Sequence, residues 1–194
     1  MNVRSKLIGE ALRTKLLLPK RWLYLESPKI QNHDVDRLIR EAGRERLHFT
    51  LAEGASFSND QLINVVTRRD LCVAEIRGIV GVTPSGMRNA VLALLRRQPS
   101  RKMMHVFEFV SSVEGYIDAL VQPHYEFAVC DGLKNRDQIF PIMVKTTWIM
   151  KQAIVFHSHT HRVEVVLTDH AVWIETFERA TAAPPNCSCT DHNF

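Results

Sequence analysis

The stretch from Leu71 to Arg97 reads LCVAEIRGIVGVTPSGMRNAVLALLRR, and its pattern of apolar and capping residues decides the predicted fold. Apolar residues recur at roughly helical spacing from Leu71 to Val80, which predicts a short first helix. Gly81 suits a left-handed helix end, Thr83 offers a hydroxyl N-cap, and Pro84 fits the first position of a second helix. The stretch therefore predicts two helices joined by a tight turn.

The second predicted helix carries polar side chains away from its apolar stripe. Met87 and Leu94 belong to that stripe, whereas Ser85, Arg88 and Asn89 lie off it. A short capped helix with Ser, Arg and Asn on its outer face has the groups needed in a DNA major groove. There an arginine favours guanine and an asparagine favours adenine.

The same stretch resembles the helix-turn-helix core of bacterial winged-helix regulators, whose pattern reads V-A-E-I, four residues, G-V-[ST] and a recognition helix. The matching residues here are Val73, Ala74, Glu75, Ile76, Gly81, Val82 and Thr83. Ser58 begins a helix upstream, and Arg101 to Phe109 alternates as a strand where a winged domain has its wing. The resemblance covers residues 58–110 and implies a module that binds double-stranded DNA.

Candidate DNA contacts follow from this interpretation. Arg88 and Asn89 are predicted to reach base edges, and the other candidates to set affinity, mainly through phosphates. The candidates are Thr83, Ser85, Arg88, Asn89, Arg96, Arg101 and Lys102.

Composition and charge fit a DNA-binding interpretation. The chain has 194 residues, of which 45% are hydrophobic and 24% charged, as in ordinary globular proteins. Residues 1–57 carry a net charge of +4, residues 58–110 again +4, and residues 111–194 a charge of −4. A basic front and an acidic back suit a DNA-binding part joined to a part that contacts protein.

The predicted fold class is α+β, with a central winged helix-turn-helix flanked by α/β segments. Its parts are an N-terminal segment 1–57, the winged module 58–110, a dimerisation or sensing segment 111–179 and a flexible tail 180–194. Helices are expected over residues 3–18, from Asp34 to Ala42 and from Val113 to Val121, with a strand from Leu47 to Leu51. Strands are expected through residues 139–167, followed by a final helix capped by Thr168 and Asp169 that carries Trp173. The apolar strands and that helix predict a homodimer interface.

Two further patterns offer competing interpretations. His48-Phe49-Thr50 looks like the H-x-T signature of 2H phosphoesterases, whose two motifs face each other, and Pro123 to Glu126 is the nearest second copy. On a strand, His157, His159 and His161 would share one face, which suits either a metal site or a subunit interface. A structural role is the expectation for these histidines, so no metal site is predicted.

No catalytic constellation or cofactor motif stands out, because the chain has no P-loop, G-x-G-x-x-G or G-x-S-x-G. Four cysteines do not make a disulfide framework, and the apolar run Leu16–Leu18 ends at Pro19, so a cytoplasmic setting without a membrane span is expected. The predicted function is sequence-specific binding of double-stranded DNA by a homodimeric transcriptional regulator that is not an enzyme and needs no cofactor. The alternatives are an RNA phosphoesterase using His48 and Thr50, or a protein-interaction module with a vestigial helix-turn-helix.

Overall fold

A computed structural model describes residues 22–24, 30–41, 46–97, 102–124, 126–131, 152–157 and 161–178. The strands are β1 (Trp22–Tyr24), β2 (Arg46–Thr50), β3 (Val73–Ile79), β4 (Met104–Phe109), β5 (Ala128–Asp131), β6 (Gln152–His157), β7 (His161–Leu167) and β8 (Ala171–Glu178). The helices are α1 (Asn32–Glu41), α2 (Asn59–Val66), α3 (Pro84–Arg97) and α4 (Tyr116–Leu120). The strands form one mixed sheet in the order β1-β2-β3-β4-β8-β7-β6-β5, so the α+β class holds.

The first half of the sheet is parallel. Strands β1 to β4 pair in sequence order, and α1, α2 and α3 provide the connections between them. Right-handed crossovers that advance in one direction place all three helices on the same face of the sheet. Each connecting helix runs back against the strands, so its carboxyl end lies beside the start of the next strand. Charged side chains at the helix carboxyl ends therefore lie near those at the starts of the strands.

The second half is antiparallel. Strand β8 pairs with β4, and β7, β6 and β5 follow outward, each antiparallel to its neighbour. The final helix predicted after Thr168 is wrong, because Ala171–Glu178 is strand β8. The Thr168 hydroxyl accepts the Ala171 N–H at 3.0 Å, so it closes the turn between β7 and β8 instead of capping a helix.

The first helix of the predicted helix-turn-helix is also wrong. Val73–Ile79 is strand β3, in which Ala74 and Ile76 are fully buried while Glu75 and Arg77 point to the opposite face. This two-residue alternation, paired on both sides by parallel strands, overrides the helical spacing. The second helix is confirmed as α3, so a strand precedes the predicted recognition helix and the helix-turn-helix arrangement is not formed.

Other predictions had mixed outcomes. The helix from Asp34 and the strand from Leu47 are confirmed as α1 and β2, and the helix from Val113 is the shorter α4. Residues 3–18 and 180–194, with their predicted helix and tail, lie outside the described residues. Strands from the segments 1–57, 58–110 and 111–179 share the single sheet. Among the described residues, none of the helices has the length and apolar character to cross a membrane.

The main core lies between the helices and the sheet. Three of its largest fully buried side chains, Phe49, Ile76 and Phe107, come from the adjacent strands β2, β3 and β4 and pack with Leu62 of α2 and Met87 of α3. Burying such a side chain stabilises the fold by about 1.5–3 kcal/mol. This core fixes α3 on the sheet and thereby fixes where both of its ends lie.

The other face of the sheet differs between the two halves. In the antiparallel half it is buried and mostly apolar, with Val155 and Val166 at 7% exposure and outside the main core cluster. In the parallel half the same face carries His48 and Glu75, which are partly accessible. The parallel half therefore offers the more polar surface.

Candidate nucleic-acid interface

The amino end of α3 is fastened to α2. The Thr83 hydroxyl accepts the Gly86 N–H at 3.0 Å, which is the predicted N-cap. Asn59 of α2 donates its amide to that hydroxyl at 3.1 Å and accepts the Thr83 N–H at 2.9 Å. The Ser85 hydroxyl lies 3.1 Å from the Thr83 hydroxyl. The polar groups predicted to approach DNA here are thus already hydrogen-bonded within the protein.

Arg88 does not extend outward from α3. Its guanidinium donates to the carbonyl oxygens of Ala119, Leu120 and Pro123 at 2.8, 3.2 and 3.0 Å. The last carbonyls of a helix lack intrahelical partners, and Arg88 supplies donors to those at the end of α4. Burial lowers the pKa of Arg88. The expectation that Arg88 lies on an open outer face is therefore corrected, while its neighbour Asn89 is exposed.

Helix α4 packs against α3 on the side from which Arg88 reaches it. The buried Tyr116 hydroxyl donates to the carbonyl of Val82 at 2.6 Å, which fixes α4 to the turn before α3. Burial raises the pKa of Tyr116. Because α4 covers one side of α3, the face of α3 that is exposed to solvent is narrower than its sequence pattern indicates.

The carboxyl end of α3 is different, because it adds cations to a surface. Arg96 is exposed and its Nε and Nη2 lie 2.8 and 2.7 Å from a Glu126 carboxylate oxygen. Arg97 is the last residue of the helix. Lys102, at the approach to β4, has its ammonium 2.5 Å from a Glu175 carboxylate oxygen. Arg101 lies outside the described residues.

Cations from other connections lie at this same end of the sheet. The helices finish and the parallel strands begin there, so residues distant in sequence come together. We call this group the basic end; its members are Arg40 of α1, Arg46 of β2, Arg68 and Arg69 between α2 and β3, Arg96 and Arg97 of α3, and Lys102. Cations outnumber the described carboxylates that pair with them.

One arginine of the basic end has a structural role. Arg68 Nε and Nη2 lie 2.9 and 2.7 Å from the two carboxylate oxygens of Asp70, and its Nη1 donates to the carbonyl of Ile39 in α1. The hydrogen bond from Arg68 holds the pKa of Asp70 below its usual value. Arg68 therefore joins α1 to the loop before β3.

Three other arginines have no ion-pair partner among the residues that the structure describes. Within the described part of the chain, Arg40, Arg69 and Arg97 make no ion pair. Arg40 and Arg69 are exposed, and Arg97 is partly accessible. None of these three residues is among the predicted DNA contacts, because they belong to three separate connections whose ends meet only in the folded sheet.

The opposite end of the parallel half is acidic. The strands finish and the helices begin there, and helix starts favour negative charge. The acidic side chains at that end are Asp34, Asp36, Glu53, Asp60, Glu108 and Asp169. The division is not complete, because Asp70, Glu126 and Glu175 pair with cations of the basic end and Arg77 lies near Glu108 at the acidic end.

The predicted phosphoesterase residues are not brought together. His48 Nδ1 lies 2.9 Å from a Glu75 carboxylate oxygen on the face away from the helices, with Thr50 two positions along the same strand. His124 Nδ1 accepts the Glu126 N–H at 3.1 Å, and its ring stacks on Phe127 at 5.3 Å between centroids. His124 lies near the arginines of α3, so the sheet separates the two histidines.

The histidine run is divided between two strands. His157 ends β6 and His161 begins β7, and the antiparallel register sends their side chains to opposite faces, which corrects the shared face expected of them. His159 lies outside the described residues. Within the described ranges, no group of three or more His, Cys, Asp or Glu is positioned to hold a metal ion.

Comparisons with known proteins provide no relative from which a function could be inferred. No protein-family model, curated protein or solved structure matches it.

Proposed function

We propose that this protein binds double-stranded DNA through the basic end of its parallel sheet. The observation that supports the proposal is the gathering of Arg40, Arg46, Arg69, Arg96, Arg97 and Lys102 at one end, with Arg68 behind them. A surface of clustered cations is the electrostatic footprint of a protein that neutralises phosphates.

Helix dipoles explain the position of some of these cations but not of those that lie outside the helices. Basic residues in the last turn of a helix are stabilised by about 0.3–1 kcal/mol, which accounts for Arg40, Arg96 and Arg97. Arg69 and Lys102 lie outside the helices and gain nothing of this kind. The cations that lie beyond the helix ends therefore favour a polyanionic ligand, such as the phosphate backbone of DNA.

The proposal keeps the predicted ligand and moves the contact surface. Phosphate contacts set affinity and orientation, whereas base contacts set specificity. Arg96 and Lys102 remain in their predicted phosphate role, and Asn89 is the remaining candidate for a base contact. Sequence-specific regulation and a homodimer through residues 111–179 would extend the proposal, since two copies would double the DNA site.

The test is equilibrium binding of a fluorescent random-sequence duplex, followed by anisotropy at several salt concentrations. Replacing Arg69 or Arg96 by glutamine should weaken binding and lower the slope of log affinity against log salt by about 0.9 for each lost phosphate contact. The matched control is Arg77→Gln, which removes one equal charge from an exposed arginine at the far end of β3.

The control separates a defined surface from general attraction by net charge. We expect Arg77→Gln to leave both affinity and salt slope close to those of the unmodified protein. Equal losses in all three variants, or no salt-dependent binding at all, would contradict the proposal. The interaction-module alternative, with a protein partner in place of DNA, would then be preferred.

A further inference from the structure

Glu164 of β7 is a buried carboxylate on the face of the sheet away from the helices. Only 2% of the residue is exposed, and neither carboxylate oxygen accepts a hydrogen bond from the described residues. Arg162 Nη2 lies 2.7 Å from Oε1 of Glu164, but no N–H of that guanidinium is aligned with the oxygen. Burial of a carboxylate that lacks hydrogen bonds favours its protonated, neutral form.

A second carboxylate lies directly across from the first. The antiparallel register pairs Glu164 with Glu175 of β8 on one side and with the apolar Val155 of β6 on the other. Side chains paired in this way lie on the same face, with Cβ atoms about 4.5–5.5 Å apart. Two ionised carboxylates repel each other at this spacing, whereas a protonated Glu164 can donate its O–H to Glu175. The pair can therefore share one proton.

The charges around Glu164 act in both directions. Burial is the largest cause that raises the pKa of Glu164, to about 7. The charges of Arg162 and Lys102 lower this pKa, and that of Glu175 raises it. On this face of β6, β7 and β8, the remaining ionisable side chain is His157, which lies opposite Arg162 in the register. Both protonation states of Glu164 are therefore populated near neutral pH.

Glu175 connects this carboxyl pair to the basic end. The Lys102 ammonium lies 2.5 Å from Oε1 of Glu175, and the Lys102 side chain is 62% exposed, so a phosphate can reach it. The next residue fixes the approach to β8: Met103 donates its N–H to the Thr176 hydroxyl at 2.8 Å and accepts the Thr176 N–H at 3.0 Å. Lys102 is thus held by a carboxylate whose neighbour can take up a proton.

We propose that protonation of Glu164 strengthens DNA binding at the basic end, acting through Glu175 and Lys102. This inference rests on the proposed function. When Glu164 is ionised, two carboxylates attract the Lys102 ammonium and repel phosphates. When Glu164 is protonated, one negative charge is removed, and a hydrogen bond to Glu175 weakens the attraction between Glu175 and Lys102. The ammonium is then available to a phosphate oxygen, so DNA binds more tightly as the pH falls from 8 to 6.

The test is the affinity for the random-sequence duplex at pH 6 and pH 8, measured by anisotropy at one salt concentration. Glu164→Gln keeps the size of the side chain and lacks its charge. At pH 8 this variant should bind about two- to threefold more tightly than the unmodified protein, and its own change between the two pH values should be smaller by the same factor.

The matched control is Glu108→Gln, the same chemical change in the neighbouring strand β4 at the acidic end. We expect this control to keep both the affinity and the pH dependence of the unmodified protein. Protonation of histidines also strengthens DNA binding in acid, but that contribution is present in all three proteins. A pH dependence that is unchanged in Glu164→Gln would overturn the proposal.

Carboxyl ¹³C NMR of the unmodified protein follows the proton directly and does not depend on a variant. Because coupling between two sites is reciprocal, the pKa of Glu164 should be higher in the presence of the duplex than in its absence. The Lys102 ammonium resonance should move as Glu164 titrates, with or without DNA. A Lys102 resonance that does not follow Glu164 would also overturn the proposal.

The outcomes separate this inference from the proposed function. If the duplex binds in a salt-dependent way and the pKa of Glu164 is the same with and without it, the proposed function stands and the inference fails. If the duplex does not bind at all, the proposed function fails, and a Lys102 resonance that follows Glu164 still establishes the proton link between them.

Discussion

The two ends of α3 looked alike in sequence and differ in the structure. Both carry arginine off the apolar stripe of one helix. At the amino end, Arg88 is bound to the carbonyls that finish α4, and Thr83 is bound to Asn59. At the carboxyl end, Arg96 and Arg97 meet cations from other connections.

The comparison shows what helical periodicity can and cannot predict. It identifies side chains that avoid the main core, and Arg88 does avoid it. Periodicity does not show whether another element covers these side chains. Strand β4 separates α4 from α3 in the sequence, and the two helices come into contact only in the folded protein. Which side of α3 stays exposed depends on the direction in which the crossover connections advance along the sheet. That direction is set by the order of the strands and not by the helix's own sequence.

The largest expected effect is at the amino end. Arg88→Ala leaves three carbonyl oxygens without their donors, so we expect the free energy of unfolding to fall by about 3 kcal/mol. Urea denaturation measures it. Asn89→Ala, one position away and exposed, is the control and should change stability by less than about 0.5 kcal/mol. If Arg88→Ala instead kept its stability and lost DNA binding, the amino end would be the interface.

The next effect tests the contact between α2 and α3. A Cβ added at Gly86 would lie 1.9 Å from the Asn59 side-chain oxygen, so Gly86→Ala must displace Asn59 from its hydrogen bonds with Thr83. We expect a loss of about 2 kcal/mol. In the Asn59→Gly background the same substitution should cost clearly less, and a double-mutant cycle measures the difference. Additive costs would mean that the close approach is not the cause.

Acid provides a third test, since it acts on the interior and leaves arginine charge unchanged. Burial lowers the pKa of His105 to about 3, far below its unfolded value, so only the unfolded chain takes up the proton and stability falls as pH drops below 6.5. Glu164 opposes this, because burial raises its pKa to about 7 and stability rises as pH falls toward 4.5. The two contributions partly cancel in the unmodified protein.

Substitution of His105 separates its contribution to the pH dependence of stability from that of Glu164. His105→Leu should gain about 1.4 kcal/mol, relative to the unmodified protein, between pH 7.5 and pH 5.5. Paired urea titrations at the two pH values measure the gain. A difference that does not change with pH would show that the folded protein binds the proton at His105.

The smallest expected effect is at the basic end. Asp70→Asn removes an exposed ion pair with Arg68, so stability should fall by no more than about 1 kcal/mol. DNA affinity should instead rise, because one negative charge leaves the surface. Anisotropy checks the direction, with Asp60→Asn at the acidic end as the matched control. A fall in affinity would contradict the phosphate-binding role of this end.

Local sequence rules predicted the elements whose own residues decide them. Thr83 and Pro84 define the start of α3, and the apolar spacing after Asp34 defines α1. Strands β3 and β8 could not be assigned in this way, because their residues fit a helix and a strand about equally. Pairing with strands far along the chain decides them. The basic end escaped prediction for the same reason, since Arg40, Arg69 and Arg97 belong to three separate connections.

The most direct test of the account is an NMR titration of the arginine Nε–Hε resonances with a short duplex, because it reports each guanidinium separately. If DNA binds at the basic end, the resonances of Arg69, Arg96 and Arg97 shift on binding while that of Arg88 stays in place. A shift of Arg88 together with Asn89, with the three resonances of the basic end unmoved, would contradict the account and restore the outer face of α3 as the DNA-reading surface.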